Sequence, residues 1–196
     1  LRERKGAVIK RAPLRADDSF DLDAFKALLT ERTKIVAITQ MSNVTGTVTP
    51  IKEIVQAAHE VGAKVLVDGC QAIVHMPVDV RDLDVDFYAV TGHKLYAPTG
   101  IGLLYGKHHL LAEMPPYEGG GEMIREVTED TVTYGVPPHR FEAGTPPIVQ
   151  AIGLGAAMDY VSSIGRERIA AHEHDLATYA QERLGALNSL KIYGRA

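Results

Sequence analysis

The sequence predicts an α/β fold built on a mainly parallel, doubly wound sheet, and three observations point there. Short β-branched apolar runs recur through the first half of the chain. Stretches with apolar residues at helical spacing separate them, and polar clusters stand directly after three of the runs. Strands alternating with helices form parallel sheets, whose ligand sites lie beyond the strands' C-terminal ends.

Taken in order, residues 1–6 read as the tail of a helix and residues 7–11 as a short strand. Asp21 is placed to cap a helix in which Leu22, Phe25, Leu28 and Leu29 recur at helical spacing. Residues 34–39 lack polar alternation, the pattern of a strand covered on both faces. Thr49-Pro50 supplies an N-cap and a first-turn proline. Ile51, Ile54, Val55 and Ala58 then form one apolar face, and Gly62 is a stop signal. Further strands are expected at residues 64–68, 87–91 and 101–105.

Between residues 114 and 147 the chain turns to Gly, Pro and polar residues, and so long a connection without periodicity is functional or disordered. Gly119-Gly120-Gly121 within it reads as a flexible tip or as a close backbone approach in a dimer-interface loop. Two helices follow, at about 148–164 and 166–187, the second with Ile169, Leu176, Ala180, Leu184 and Leu187 on one side. Residues 191–194 read as the start of a strand, so a piece of a longer chain is expected.

Composition narrows the function classes. Hydrophobic residues at 45% and charged residues at 23% are ordinary for a globular domain and unlike a disordered chain. With 21 Lys+Arg against 25 Asp+Glu the formal net charge is −4, which argues against nucleic-acid binding. No apolar run reaches the roughly 20 residues of a membrane span, and residues 1–6 show no signal pattern. Cys70 is the only cysteine, so no internal disulfide can form, which fits a reducing cytoplasm.

The chemistry clusters at expected strand ends: Met41-Ser42-Asn43-Val44-Thr45-Gly46, Asp68-Gly69-Cys70-Gln71 and Thr91-Gly92-His93-Lys94. A lone loop lysine is ordinarily just a solvated surface group. An ammonium directly after a buried strand must be paired or neutral, and desolvation prepares an amine for Schiff-base chemistry. Pyridoxal phosphate needs such a lysine for its aldehyde and a carboxylate to keep its pyridine nitrogen protonated. Lys94 and Asp68 suit those two roles, and Gln71 suits a hydrogen bond to the ring's phenolic oxygen. The remaining signals are weak. Thr99-Gly100-Ile101-Gly102 lacks the third glycine and following helix of a dinucleotide loop. His172 and His174 diverge on a helix and make no metal pair, and His108-His109 is equally unpersuasive.

Val67-Asp68-Gly69-Cys70-Gln71-Ala72, the run from Thr91-Gly92-His93-Lys94 to Gly102, and Arg140-Phe141-Glu142-Ala143-Gly144-Thr145-Pro146 resemble the cysteine desulfurases. More closely, they are similar to the SUF-type cysteine desulfurase/selenocysteine lyase branch of the class V aminotransferases, nearly end to end. The resemblance implies a fold-type-I pyridoxal-phosphate large domain with a seven-stranded-type sheet, helices on both faces and truncation at both ends. Residues 1–188 would be the central part of that domain and residues 189–196 the start of the C-terminal small domain.

The same resemblance implies that Lys94 carries the cofactor, Asp68 holds its pyridinium nitrogen and Gln71 its phenolic oxygen. Thr91 and His93 would bind its phosphate, and Asn43 would contact the cofactor and the substrate carboxylate region. Thr145 would reach the phosphate of a partner subunit's cofactor in a homodimer. The implied activity removes sulfur from L-cysteine, giving L-alanine and an enzyme persulfide that is passed to an acceptor protein for iron–sulfur assembly. Selenocysteine lyase or another class V lyase or aminotransferase is the nearest alternative, and a catalytically silent dimerisation or scaffold module is one of another class. The persulfide cysteine and a carboxylate-gripping arginine are implied beyond Ala196, so the chain alone is expected to be inactive. Cys70, at a small-residue position, is expected to be a buried, inert thiol.

Overall fold

The computed structural model describes residues 2–194; the final two residues of the expected small-domain start lie outside them. After α1 (Arg2–Lys5) the chain reaches α2 (Leu22–Leu28), whose N-terminus is capped as expected by Asp21 accepting the Ala24 N–H at 3.0 Å. Residues 7–11 form no strand, and Val8 and Ile9 are exposed, because no neighbouring strand pairs with them.

Four strands make the main sheet: β1 (Ile35–Thr39), β2 (Lys64–Asp68), β3 (Phe87–Thr91) and β4 (Gly102–Gly106). They lie side by side in sequence order, β1–β2–β3 parallel and β4 antiparallel to β3. Among the described residues this sheet has four strands, as a truncated part of a larger, mainly parallel sheet would.

Register places Val36, Ile38, Val65, Val67, Tyr88 and Val90 on one face. There they pack with Phe20, with Phe25 from α2, and with Ile51, Ile54, Val55 and Ala58 from α3 (Ile51–Glu60). Burying each large aliphatic side chain contributes about 1.5–3 kcal/mol, so this face anchors the sheet. The other face is half-buried at Leu66, Phe87 and Ala89 but open at Ile35 and Ala37, so β1 is covered on one face only.

Thr49 does not cap α3 as the sequence suggests. Its hydroxyl donates to the Thr39 carbonyl at 2.7 Å and thereby ties the loop back to the end of β1. At the opposite, N-terminal end of the sheet, the buried Asp86 carboxylate accepts the Val65 N–H at 2.8 Å and meets His59 Nε2 at 2.8 Å.

After β2 comes the short α4 (Ala72–His75), and after β4 α5 (His108–Glu113). The long connection holds a hairpin that the sequence did not suggest, β5 (Ile124–Val127) with β6 (Val132–Tyr134). Helices α6 (Ile148–Ile164) and α7 (Arg166–Gly185) fall where helical spacing puts them. α6 packs on the turn after β3, and α7 packs on α4 and α6. Of the apolar stripe expected on the second helix, Leu176 and Leu184 are exposed on α7, Leu187 is exposed beyond its end, and Ile169 is half-buried. Residues 189–194 form no strand. Among the described residues no single helix is long and apolar enough to cross a membrane.

Candidate cofactor site

Parallel pairing aligns Thr39 with Asp68 and Asp68 with Ala89, so the C-terminal ends of β1, β2 and β3 open on one edge. The three polar clusters follow directly after those strand ends. Asp68 closes β2 with an exposed carboxylate whose Oδ1 accepts the Cys70 N–H at 3.0 Å. Its carbonyl accepts the Gln40 N–H at 3.0 Å, and the next residue, Gly69, donates to the Ala89 carbonyl at 2.9 Å. Gln71 sits half-buried at the entrance to α4.

Beyond β3 the chain tightens into a 3₁₀ turn, Gly92–Leu95, which presents Lys94 half-buried and His93 exposed. Thr91 Oγ1 lies 2.9 Å from His93 Nδ1. The turn is fixed by the Gly92 N–H donating to the Ile101 carbonyl at 2.9 Å. A Cβ at residue 92 would stand 2.8 Å from Ile101 Cγ2 and 2.9 Å from its carbonyl oxygen, so this position needs glycine.

Asn43 is exposed in a turn whose shape comes from Ser42. The Ser42 Oγ accepts the Val44 and Thr45 N–H groups, each at 3.2 Å. Thr145 stands in the loop before α6, exposed and preceded by Gly144 at φ +81°. The Gly144 N–H donates to the Gly121 carbonyl at 2.9 Å, and a Cβ on Gly120 would press on Gly144 N and Ala143 Cβ. The middle glycine of the triple run thus serves close backbone approach, while Gly119 and Gly121 have open space beside them. Arg140 pins the same loop, donating to the carbonyls of Gly135 and Ala112 at 2.9 and 2.7 Å.

Cys70 is half-buried rather than buried. Burial, then its hydrogen bond and charge interaction with Asp68, push the thiol pKa up, while Lys94 opposes the rise. Because the thiolate is the nucleophile, Cys70 in the folded protein should alkylate more slowly than a free cysteine at pH 8. Its rate should keep climbing above the ordinary thiol pKa of about 8.5. Iodoacetamide kinetics against pH, read by mass spectrometry, check this.

Two site residues were not singled out in the sequence: Gln40 and Tyr88, both buried, joined by the Tyr88 hydroxyl donating to Gln40 Oε1 at 2.6 Å. The available signals were a tyrosine inside an apolar strand run and a glutamine directly after another. Among the described residues no cluster of His, Cys, Asp or Glu could hold a metal ion.

The pattern of the aminotransferase class-V family matches residues 1–196. The chain belongs to that family. A cysteine desulfurase of Dickeya dadantii is 55% identical over 196 residues, covering 99% of this chain and 47% of that protein. The crystal structure of the cysteine desulfurase CsdA from Escherichia coli superimposes with TM-score 0.90 and 43% identity, covering 94% of this chain and 46% of that one. The fold is therefore that of the pyridoxal-phosphate cysteine desulfurases. C-DES, solved with glycine covalently linked to its PLP cofactor, is 28% identical with TM-score 0.76, over 85% of this class V chain and 45% of that one. This class V chain spans about half the length of the curated relatives it matches.

Proposed function

We propose that this chain is the cofactor-binding portion of a cysteine desulfurase that uses pyridoxal phosphate. The observation that carries the reading is Lys94, on the turn closing β3, beside Asp68 at the end of the adjacent β2. The donor set fits the group: an amine, a carboxylate, an amide, a hydroxyl and an imidazole at neighbouring strand ends. When bound, pyridoxal phosphate supplies an aldehyde for an amine and a protonated pyridine ring that accepts electron density.

Lys94 would hold that aldehyde, and its amine would move a proton at the substrate Cα as base and then acid. The Asp68 carboxylate keeps the ring nitrogen protonated through a charge-assisted hydrogen bond, while Gln71 donates to the ring's phenolic oxygen. Thr91 and His93 hold the phosphate, and Asn43 faces the substrate carboxylate. Thr145 reaches the phosphate held by a partner subunit in a homodimer.

In the reaction the Cβ–Sγ bond of L-cysteine breaks, the sulfur forms an S–S bond with an acceptor thiol, and Cβ gains a proton. L-cysteine plus thiol gives L-alanine plus persulfide, so no external oxidant or reductant is needed. Half-buried Cys70, with its raised pKa, is poorly suited to be that acceptor. The persulfide sulfur goes to an acceptor protein of iron–sulfur assembly in the cytoplasm.

Incubating the protein, with its natural flanking sequence, with pyridoxal phosphate, L-cysteine and a thiol reductant should give alanine and sulfide in equal amounts. Pyruvate and ammonia in place of alanine would make it a lyase and overturn the reading. Mixing Lys94→Ala with Thr145→Ala subunits puts both lesions in one site and neither in the other, so hybrid dimers should regain activity. No recovery in demonstrated hybrids would remove Thr145 from the partner's site.

A further inference from the structure

Gln40 and Tyr88 lie directly behind the end of β2. Register pairs Tyr88 with Val67, and the ring runs out beneath Gly69. A Cβ built on Gly69 would stand 2.0 Å from ring carbons Cε1 and Cζ and 2.2 Å from Oη, so the ring fills the space a side chain would take. The hydroxyl donates to Gln40 Oε1 at 2.6 Å, and the Gln40 N–H donates to the Asp68 carbonyl at 3.0 Å. The Gln40 carbonyl is held in turn by the Thr49 N–H at 2.8 Å. Asp68 is thus gripped from β1 through its carbonyl and from β3 through the ring under its neighbour.

We propose that Tyr88 and Gln40 are positioning residues that aim the Asp68 carboxylate at the cofactor's ring nitrogen. The proposal rests on the assignment of Asp68 to that nitrogen. Asp68 itself points from a strand end with an exposed carboxylate, which accepts the Cys70 N–H at 3.0 Å and otherwise meets the same residue's thiol. These contacts are confined to a residue two positions on, so they leave the direction of the carboxylate to the backbone beneath it, and the Tyr88–Gln40 pair sets that backbone. Functional groups need this kind of support, since small misplacements cost charge-assisted bonds disproportionately. Burial, and secondarily the charges of Cys70 and Asp68, push the Tyr88 phenol pKa upward, so it remains an O–H donor to Gln40 at any physiological pH.

The test uses the protein with its natural flanking sequence, loaded with pyridoxal phosphate labelled with ¹⁵N in the ring, and reads the nitrogen resonance against pH. Tyr88→Phe removes only the hydroxyl. The expected result is a resonance displaced toward that of neutral pyridine and a proton affinity of the ring nitrogen lowered about tenfold, the change of one pKa unit. Asp68→Ala should displace it further in the same direction. The double variant Tyr88→Phe/Gln40→Leu leaves no orphaned buried acceptor, so it keeps the test open if Tyr88→Phe loads poorly; its resonance should stay displaced. A Tyr88→Phe or double-variant resonance at the wild-type position, with Asp68→Ala displaced, would overturn the positioning role alone. No displacement in Asp68→Ala would overturn the assignment of Asp68, and the proposal with it.

Discussion

Lys94→Ala should leave the fold intact and cut turnover of L-cysteine by about 10²–10⁴-fold, the usual contribution of a positioned proton-transfer group. The substitution removes an amine from a turn whose geometry is set elsewhere, by the Gly92 N–H to the Ile101 carbonyl and by α6 packed against it. Circular dichroism and the thermal midpoint should therefore hardly move. Borohydride reduction of the wild-type protein should fix the cofactor onto the peptide containing Lys94, and no such adduct should form in Lys94→Ala. A label on another lysine, or full turnover in the variant, would end the proposed role of Lys94.

Gly69→Ala is expected to be strongly destabilising, although it adds a single methyl group. The new Cβ would overlap the Tyr88 ring at 2.0 Å, so either the ring or the β2 end must move. Overpacking costs about 1–3 kcal/mol. Displacing the ring also breaks the buried bond to Gln40, whose orphaned acceptor costs about 1–3 kcal/mol more. Denaturant unfolding should show the sum, roughly 2–6 kcal/mol, together with weaker cofactor retention. In a Tyr88→Ala background the same Gly69→Ala change should cost much less, because contacting residues couple strongly. An equal cost in both backgrounds would show that the clash with Tyr88 is not its origin.

Much of this was legible in the residues themselves. Val65, Val67 and Asp68 form an apolar run ended by a carboxylate, and such a run can only be a buried strand that delivers the acid to its end. The same logic placed Lys94, since Phe87–Thr91 leads straight into it. What was not legible depends on partners distant in sequence. Residues 7–11 have strand composition, but pairing needs a neighbour that local sequence does not name. The hairpin of β5 and β6 is almost wholly exposed, so it lacks the apolar alternation by which strands are recognised. Thr49 has the residue type and spacing of a cap, yet a carbonyl at the end of β1 won its hydroxyl. The bond between Gln40 and Tyr88 spans 48 positions, and neither residue hints at the other.

The main sheet is wound in the order in which it is written, β1, β2, β3, β4, each strand beside its predecessor. A ribosome emits the strands in that order too, so each new one finds its template already folded and close by, with little loop entropy to overcome. Asp68 is set when β2 docks on β1, and Lys94 arrives on the next strand, beside an acid already in place. Once Gly106 has cleared the ribosome, β3 can lie beside β2 with the acid and the amine at adjacent strand ends, while the later loop carrying Thr145 is still to emerge. The site is therefore assembled in stages: a core of adjacent strand ends comes first, and the group proposed to serve a second subunit comes late, when there is a folded surface for another copy to meet.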